Sequence, residues 1–392
     1  MHMLCIVCSQ ATRQRVGELL GGSDKGMTIL LNSLSDFFKS KRVIVTGGAG
    51  SVGTELVDQL LQLPLSLVRV IDNNESALFR VGERLGSDSR CEPLFCDIRD
   101  DYEVNRAFSG MDFCLHAAAL KHVPSCEHSP FSAVQTNIIG TQQVIRAALR
   151  NHLERVLITS SDKAVNPTSV MGTSKLMAER LFTAANALSE GSHRCIFSVT
   201  RFGNVAGSAG SVIPLFAQQI KEGRDISLTH PRMTRFVMTL HDASHLVIES
   251  LAWARGGEIF ITKMPVLAIA NLAHVMIRFI APLYGRQAAK VKIKEIGPRP
   301  GEKMWEELNT DEEARRTYDL GRYLVVLPAL RNYHGRIDYA YGDQELRLCE
   351  RIYHSENEVP MTEAQIEDFL LQPGVLPEES RQRLGLDARG AA

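Results

Sequence analysis

The sequence predicts an α/β fold built on a doubly wound parallel sheet, and three features of its central region carry this prediction. Short apolar runs of strand length recur between residues 42 and 201, amphipathic stretches of helical length separate them, and a glycine-rich turn follows the first run. Strands that are apolar along their whole length lie in sheets covered on both faces, and helical crossovers keep such strands parallel.

Six apolar runs are the predicted strands of this sheet. A helical stretch follows each of the first five, so each strand and its crossover form one unit of the predicted sheet. In chain order the runs are residues 43–46, 68–71, 93–96, 113–116, 156–159 and 196–199.

The chain divides into four predicted segments. Residues 1–40 are an N-terminal helical lead-in, because apolar side chains recur at helical spacing in its second half. Residues 41–203 form the parallel-sheet domain, and 204–354 form a smaller substrate-binding subdomain, interleaved with it, whose loops are rich in Gly, Pro and Thr. Residues 355–392 are a polar tail with one weak helix near 362–371, and we expect no chemistry there. The apolar residues of the lead-in are Leu30, Leu31, Leu34, Phe37 and Phe38.

Composition excludes several classes of protein. With 44% hydrophobic residues, 23% charged residues and a formal charge of −1, the chain of 392 residues has no polybasic surface for nucleic acid or membranes. No apolar stretch reaches the roughly 18 to 20 residues that cross a bilayer, and the start does not resemble a signal peptide. The eight cysteines are scattered, and Cys5 and Cys8 lack a second pair at metal-binding distance. We therefore expect a soluble cytoplasmic protein without a metal.

A glycine-rich turn between the first strand and the following helix predicts a dinucleotide site. Gly47 permits the tight turn, Gly50 lets the backbone approach a pyrophosphate, and Gly53 lets helix and strand pack closely. Ser51 and Val52 open the helix, whose N-terminus then faces the phosphates. The predicted sheet is therefore of the Rossmann type.

Residues at the ends of the next three strands extend this predicted site. Asp72 lies about 20 residues beyond the turn, where a carboxylate accepts hydrogen bonds from ribose hydroxyls and repels a 2′-phosphate. NAD is thus favoured, and NADP stays possible. Asp97 can meet the adenine amine, and small side chains after the fourth strand let a cofactor lie on the backbone. With their neighbours, these residues are Asp72, Asn73, Asp97, Ile98, Ala117, Ala118 and Ala119.

Several longer motifs are similar to those of one known family. They include Ser161-Asp162-Lys163-Ala164 and Arg299-Pro300-Gly301-Glu302-Lys303, together with residues 47–53, 116–124, 137–141, 171–175, 201–205, 210–214 and 233–236. Over about residues 40–310 the chain resembles the polysaccharide-biosynthesis UDP-N-acetylglucosamine 4,6-dehydratases, which are extended short-chain dehydrogenases.

The resemblance implies a reaction with no net oxidation. Hydride leaves carbon 4 of the sugar, a base removes the proton on carbon 5, an acid expels the 6-hydroxyl as water, and hydride returns to carbon 6. NAD would then recycle in place and stay tightly bound. The substrate would be UDP-N-acetylglucosamine or a close UDP-sugar, for a surface polysaccharide or glycan precursor. Helices flanking such sheets commonly pack against a twin, so we expect a homodimer or larger homo-oligomer.

One position departs from most short-chain dehydrogenases. They carry Tyr-x-x-x-Lys, and here Met171 stands in place of the tyrosine, four residues before Lys175. A thioether cannot exchange protons. Either the chain binds cofactor without catalysis, or protons move through other residues, as in family members that also have methionine here. Lys175 would hold the nicotinamide ribose, and Asn137 would also contact the cofactor.

Asp162 and Lys163 are the replacements that the resemblance implies. Lys163 would be the base at carbon 5, Asp162 the acid toward the 6-hydroxyl, and Ser161 a hydrogen-bond partner of the 4-oxygen. Which of Asp162 and Lys163 performs each step stays open. The plainer interpretation is a surface ion pair that caps the next helix.

The resemblance also implies substrate contacts, several of which could instead be loop residues. Two residues would border the sugar, three the diphosphate, two the nucleotide pocket, and the last two the phosphate and ribose. In that order they are Lys121, His122, Asn204, Ser211, Val212, Thr234, Arg235, Arg299 and Glu302.

Two other functions remain as alternatives. A UDP-sugar 4-epimerase shares the fold and cofactor but needs no acid–base pair for water loss. A non-catalytic NAD-binding regulator would explain Met171. Configuration at carbon 5 is not determined, although the loop at residues 207–211 favours retention.

Overall fold

The structure is a computed structural model that describes residues 34–188, 194–208, 210–298, 301–329, 337–341 and 346–386. Arg299, the Cys5 and Cys8 pair and most of the predicted lead-in lie outside these residues. Residues 34–38 are helical, and Leu34 and Phe38 are buried. The ring of Phe37 stacks on Phe113 with ring centroids 5.0 Å apart, so the end of the lead-in packs against the sheet.

All six predicted strands form, and they lie side by side in one parallel sheet. Their spatial order is β3-β2-β1-β4-β5-β6. The order reverses between β1 and β4, which is where dinucleotide-binding sheets of this type hold their ligand. The predicted fold class is confirmed. The strands are β1 Arg42–Thr46, β2 Leu67–Asp72, β3 Cys91–Phe95, β4 Phe113–His116, β5 Arg155–Ser161 and β6 Ile196–Phe202.

Helices cover both faces of this sheet and create two apolar cores. One core joins Leu56 and Val57 to Leu246 and Val247, and the other contains Val144 and Phe182. Each helix turns its apolar stripe toward the strands, as expected for a layered α/β fold. The covering helices are Ser51–Leu60, Glu75–Leu85, Asp101–Phe108, Thr141–Arg150, Val170–Ala185 and Leu240–Trp253.

The second half of the chain extends the same sheet and adds two small ones. β10 pairs parallel to β6, and β14, β13 and β15 follow it with antiparallel pairing. β11-β9-β7 and β12-β8 form the small sheets. These strands are β7 Asn204–Val205, β8 Ile226–Leu228, β9 Thr234–Met238, β10 Ile259–Thr262, β11 Val266–Ala268, β12 Ile293–Glu295, β13 Thr317–Leu320, β14 Tyr323–Val326 and β15 Arg347–Leu348.

A third apolar core lies under the C-terminal tail. Helices Val212–Glu222 and Ile269–Ile280 pack there together with helix Glu363–Leu370. The tail was predicted to be polar with one weak helix, and that helix buries Ile366, Phe369 and Leu370. Shorter helices are Val123–His128, Pro130–Ala133, Asp311–Ala314 and Glu378–Arg383. Among the described residues, no helix combines the length and the apolar composition needed to cross a bilayer.

Candidate active site

The glycine turn after β1 has the shape that a bound pyrophosphate requires. Gly47 has a φ of +64°, and a Cβ atom placed on it would lie 2.7 Å from the backbone of Ala118. A Cβ on Gly53 would lie 2.2 Å from the carbonyl oxygen of Gly47. Helix Ser51–Leu60 begins directly after Gly50, with no acidic residue in its first turn. Its positive N-terminus is therefore open to an anion, and the residues fit a dinucleotide.

The predicted contacts to the adenosine half surround this turn. Asp72 accepts hydrogen bonds from the backbone N–H groups of Ala49, at 3.1 Å, and Asn74, at 2.9 Å. The carboxylate thus stabilises the turn and keeps lone pairs for ribose hydroxyls. Asp97 pairs with Arg99 at 2.5 Å, and Asn73 donates to it at 3.3 Å. The Arg99 guanidinium lowers the pKa of Asp97 to about 2, so this carboxylate is ionised.

The loop after β4 is fixed by a buried amide. Asn137 donates to the Leu120 carbonyl at 3.0 Å and to Ser174 Oγ at 2.9 Å, and its Oδ1 accepts from the Leu120 N–H at 2.8 Å. It therefore ties the loop of Ala117, Ala118 and Ala119 to helix Val170–Ala185. Both side-chain polar atoms of Asn137 have protein partners. Asn137 therefore stabilises the loop that lines the predicted cofactor site. Ile98 is buried beside the same region, next to Gly140.

Ser161, Asp162 and Lys163 form one hydrogen-bonded unit at the carboxyl end of β5. Ser161 Oγ donates to Asp162 Oδ1 at 2.7 Å, and Lys163 Nζ donates to the same oxygen at 2.9 Å. Asp162 is fully buried, while the Lys163 side chain keeps 26% of its exposure. Lys163 also donates to Asn204 Oδ1 at 3.1 Å. The structure thus brings an acid, an amine and a predicted substrate residue together.

Three buried polar atoms of this unit and of its contacts lack hydrogen-bond partners within the described residues, namely Asp162 Oδ2, Asn204 Nδ2 and Glu306 Oε2, and so does Ser211 Oγ, which belongs to another predicted substrate residue. Buried polar groups are almost always hydrogen-bonded in native proteins. Two are carboxylate oxygens and two belong to groups that can donate, so the set suits a ligand that carries hydroxyl groups and anionic oxygens.

Glu306 also lies at this site, although no motif in the sequence predicted it. Its carboxylate is 2% exposed, and Oε1 lies 3.5 Å from Lys163 Nζ and 3.8 Å from Arg235 Nε. It follows the Arg-Pro-Gly-Glu-Lys motif by three residues, inside the pair Glu306-Glu307. A pair of glutamates is typical of a solvated surface, so no local signal separates the buried one from its neighbour.

Met171 and Lys175 lie on the same buried face of helix Val170–Ala185. Met171 packs with Cys126 and Ala133. Lys175 Nζ donates to the Thr159 carbonyl at 2.9 Å, and burial lowers the pKa of Lys175 to about 8. This amine therefore stays next to β5, mostly charged at neutral pH.

The remaining predicted substrate residues occupy different positions around the site. His122 is exposed, and its ring lies against Gly210, which precedes Ser211 and Val212. Lys121 is also exposed. Thr234 bonds to Ser355 at 2.8 Å. The Arg235 guanidinium donates to the Lys303 and Met304 carbonyls and lies 3.7 Å from Glu302, so its fork fixes the segment that contains Glu306.

Known proteins match most of this chain. A family model described as "Polysaccharide biosynthesis protein" matches residues 43–328. An uncharacterized membrane protein of Methanocaldococcus jannaschii is 47% identical over 300 residues, which cover 76% of this chain and 89% of that protein. A UDP-glucose 4-epimerase of Rickettsia canadensis is 35% identical over 349 residues, which cover 87% of this chain and 98% of that protein.

Solved structures have the same architecture. The crystal structure of Pen from Bacillus thuringiensis aligns with a TM-score of 0.77 and 40% identity, covering 86% of this chain and 98% of that chain. The dTDP-glucose 4,6-dehydratase DesIV of Streptomyces venezuelae, solved with NAD, aligns with a TM-score of 0.58 and 22% identity, covering 77% of this chain and 94% of that chain. At this identity the similarity concerns the fold alone. The chain therefore belongs to the polysaccharide biosynthesis protein family and has the extended short-chain dehydrogenase/reductase fold of nucleotide-sugar dehydratases and epimerases.

Proposed function

We propose that this protein is a UDP-N-acetylglucosamine 4,6-dehydratase that works with tightly bound NAD. The observation that carries the proposal is the hydrogen-bonded unit of Ser161, Lys163 and the buried Asp162 at the end of β5, with Met171 where a phenol would stand. Water loss needs one group that removes a proton and one that delivers a proton, and this turn offers an amine and a carboxyl group within one hydrogen bond.

The turn of Gly47, Gly50 and Gly53, together with Asp72, would hold NAD, which takes up and returns a hydride. Lys163 first passes a proton to Asp162 across their hydrogen bond, and as the neutral amine it then removes the proton on carbon 5 of the 4-keto sugar. Asp162 delivers a proton to the departing 6-oxygen, through the Oδ2 atom that has no partner within the described chain. The Ser161 hydroxyl, which donates to Asp162 in the structure, would turn to donate its single proton to the 4-oxygen. Water then leaves with the 6-oxygen and the proton from Asp162.

The first test is the product of incubation with UDP-N-acetylglucosamine. A dehydratase yields a product lighter by the mass of one water molecule, whereas an epimer has the mass of the substrate. Proton NMR of the same product formed in heavy water reports deuterium and configuration at carbon 5. A product of unchanged mass would rule out the proposal.

Two substitutions test the proposed proton route. We expect Asp162→Asn and Lys163→Ala to lower kcat by about 10² to 10⁴, because each removes one proton-transfer group. Cofactor binding should persist, since neither side chain touches the glycine turn. Lys290→Ala, at an exposed lysine far along the chain, is the matched control. Full activity in both variants would mean that protons travel another way.

A UDP-sugar 4-epimerase is the second candidate, and the Rickettsia relative named UDP-glucose 4-epimerase favours it. Epimerisation needs proton exchange at the 4-oxygen only, so Asp162 and Lys163 would have no elimination to perform. Mass analysis separates the two functions. The expected homo-oligomer is tested by light scattering of the purified chain.

A further inference from the structure

Lys163 lies between two buried carboxylates from distant parts of the chain. Asp162 Oδ1 lies 2.9 Å from its amine and Glu306 Oε1 lies 3.5 Å away, with side-chain exposures of 0% and 2%. Asp162 is its neighbour in sequence, whereas Glu306 comes from the segment after residue 301. One amine thus interacts with two carboxylates. The proposed reaction gives a role to Asp162 only.

Glu306 is held in place by two other parts of the chain, the tail and β9. Its backbone N–H donates to Ser355 Oγ at 2.9 Å, and the Ser355 N–H donates to its carbonyl at 2.9 Å. Ser355 also bonds to Thr234 at 2.8 Å. Arg235 lies 3.8 Å from the carboxylate. Because contacts from the tail and from β9 fix Glu306, its carboxylate is well suited to set the position of the flexible Lys163 side chain.

The carboxylates around Lys163 oppose the effect of its burial. Burial favours the neutral amine, but Asp162 and Glu306 outweigh it and raise the pKa of Lys163. Burial also favours the neutral form of Glu306 and therefore raises the pKa of its carboxyl group, while the charges of Lys163, Arg235 and Lys303 oppose this increase. Two carboxylates therefore face Lys163, Arg235 and Lys303, and the removal of one carboxylate changes the balance at the amine.

We propose that Glu306 is a positioning residue, which keeps the Lys163 amine beside Asp162 and sets how readily that amine gives up its proton. The proposal rests on the proposed function, because it assigns Glu306 to the proton-transfer turn of that reaction. Glu306 acts through Lys163 and takes no step on the sugar itself.

The experiment compares the titration of Lys163 in the wild-type holoenzyme with that in Glu306→Gln. The protein is labelled with [ε-13C]lysine, and Lys163→Ala assigns the signal. An opposite charge at this distance shifts a pKa by about 1 to 3 units, so we expect the Lys163 midpoint to fall by about one pH unit or more in Glu306→Gln. Glu307→Gln is the matched control, since Glu307 lies beside Lys303 and Asn166, and it should leave the midpoint unchanged.

The pH profile of kcat provides the second readout. The limb that reports Lys163 should move to lower pH in Glu306→Gln, whereas a purely structural defect would lower kcat evenly at all pH values. Glu306→Asp keeps the charge but draws it back by one methylene, so it should give a smaller shift in the same direction. If Glu306→Gln does not fold, Glu306→Asp decides.

An unchanged Lys163 midpoint in both Glu306 variants, or an equal shift in Glu307→Gln, overturns the proposal. The NMR titration does not depend on turnover. A wild-type protein that releases no water from the sugar therefore refutes the proposed function alone, and a dehydratase with an unmoved midpoint refutes the role of Glu306 alone.

Discussion

Asp162 and Lys163 differ from an ordinary surface ion pair in their burial. Exposed pairs contribute about 0 to 1 kcal/mol and need no particular neighbours. Here the Asp162 carboxylate is fully buried, and Ser161, Asn204 and Glu306 surround the pair. Burying a charged pair costs free energy that its neighbours must compensate, and such arrangements cluster at functional sites.

At the scale of single residues, the glycine turn allows a sharp test. Gly53→Ala would place a methyl group 2.2 Å from the Gly47 carbonyl, whereas Gly82→Ala would place one 3.8 Å from Pro93. Both glycines lie inside helices, so alanine improves helix propensity equally at both. We expect Gly53→Ala to displace the turn and weaken NAD binding at least tenfold, as measured by calorimetry. Gly82→Ala should bind NAD normally, and equal binding by both variants would contradict the predicted cofactor site.

At the scale of elements, helix Val170–Ala185 explains how one segment serves both site and core. Met171, Lys175 and Glu179 recur every four residues, and all three are buried. Ser169 caps the helix by accepting the Gly172 N–H at 3.1 Å. Four-residue spacing places side chains on one face of a helix. The shared face of Met171 and Lys175 therefore follows from local geometry. Lys175 then contacts β5, whereas Glu179 contacts Ser160 and β6.

The tail helix Glu363–Leu370 contributes to stability through its apolar face. Leu370 is fully buried in the third apolar core, and Asp368 is exposed. Leu370→Ala should lower the free energy of unfolding by about 2 to 5 kcal/mol, because it removes buried methyl groups and leaves a cavity. Asp368→Ala should change it by less than about 0.5 kcal/mol. Urea denaturation measures both values. If the two variants are equally stable, the tail does not pack as described.

At the scale of the whole molecule, a buried ionic network joins the two halves of the chain. Arg201 on β6 is fully buried and pairs with Glu179 at 2.6 Å and with Glu313 at 2.9 Å. It also donates to the Leu308 carbonyl at 2.8 Å. Residues 308 and 313 follow Glu306 closely, so this network anchors the segment that carries Glu306 to the parallel sheet.

The network predicts a loss of stability in acid. Burial by itself raises the pKa of Glu313, but the Arg201 charge outweighs it and lowers the pKa to about 2. An unfolded glutamate titrates near pH 4.3, so the stabilisation is complete above that pH and is lost as pH falls toward 2. Glu313→Gln should cost about 3 kcal/mol at neutral pH and flatten the acid limb of the stability curve. Glu312→Gln removes a glutamate whose side chain is 61% exposed in its pair with Arg316, so both effects should be much smaller. Equal urea midpoints for both variants between pH 2 and 7 would contradict this account.

Local patterns in the sequence were enough to predict several elements. Residues 43–46 and the five later runs became strands, because predominantly apolar runs of that length are typical of a parallel sheet covered by helices on both faces. The glycine turn could be predicted from the sequence, because the positive φ at Gly47 and the close backbone contact at Gly53 both require a residue without a side chain. Ser161, Asp162 and Lys163 are consecutive, so their proximity needed no tertiary information.

Contacts between distant segments could not be predicted from local patterns and appear first in the folded chain. Glu306 reaches Lys163, Ser355 holds Glu306, and Glu313 neutralises Arg201, although more than forty residues separate the members of each pair. A glutamate on a solvated surface and a glutamate in a buried cluster have the same local sequence pattern. Their difference arises from the packing of the whole chain, in which β10 and β14 extend the sheet beyond β6 and the segment of Glu306 meets Lys163 at the end of β5.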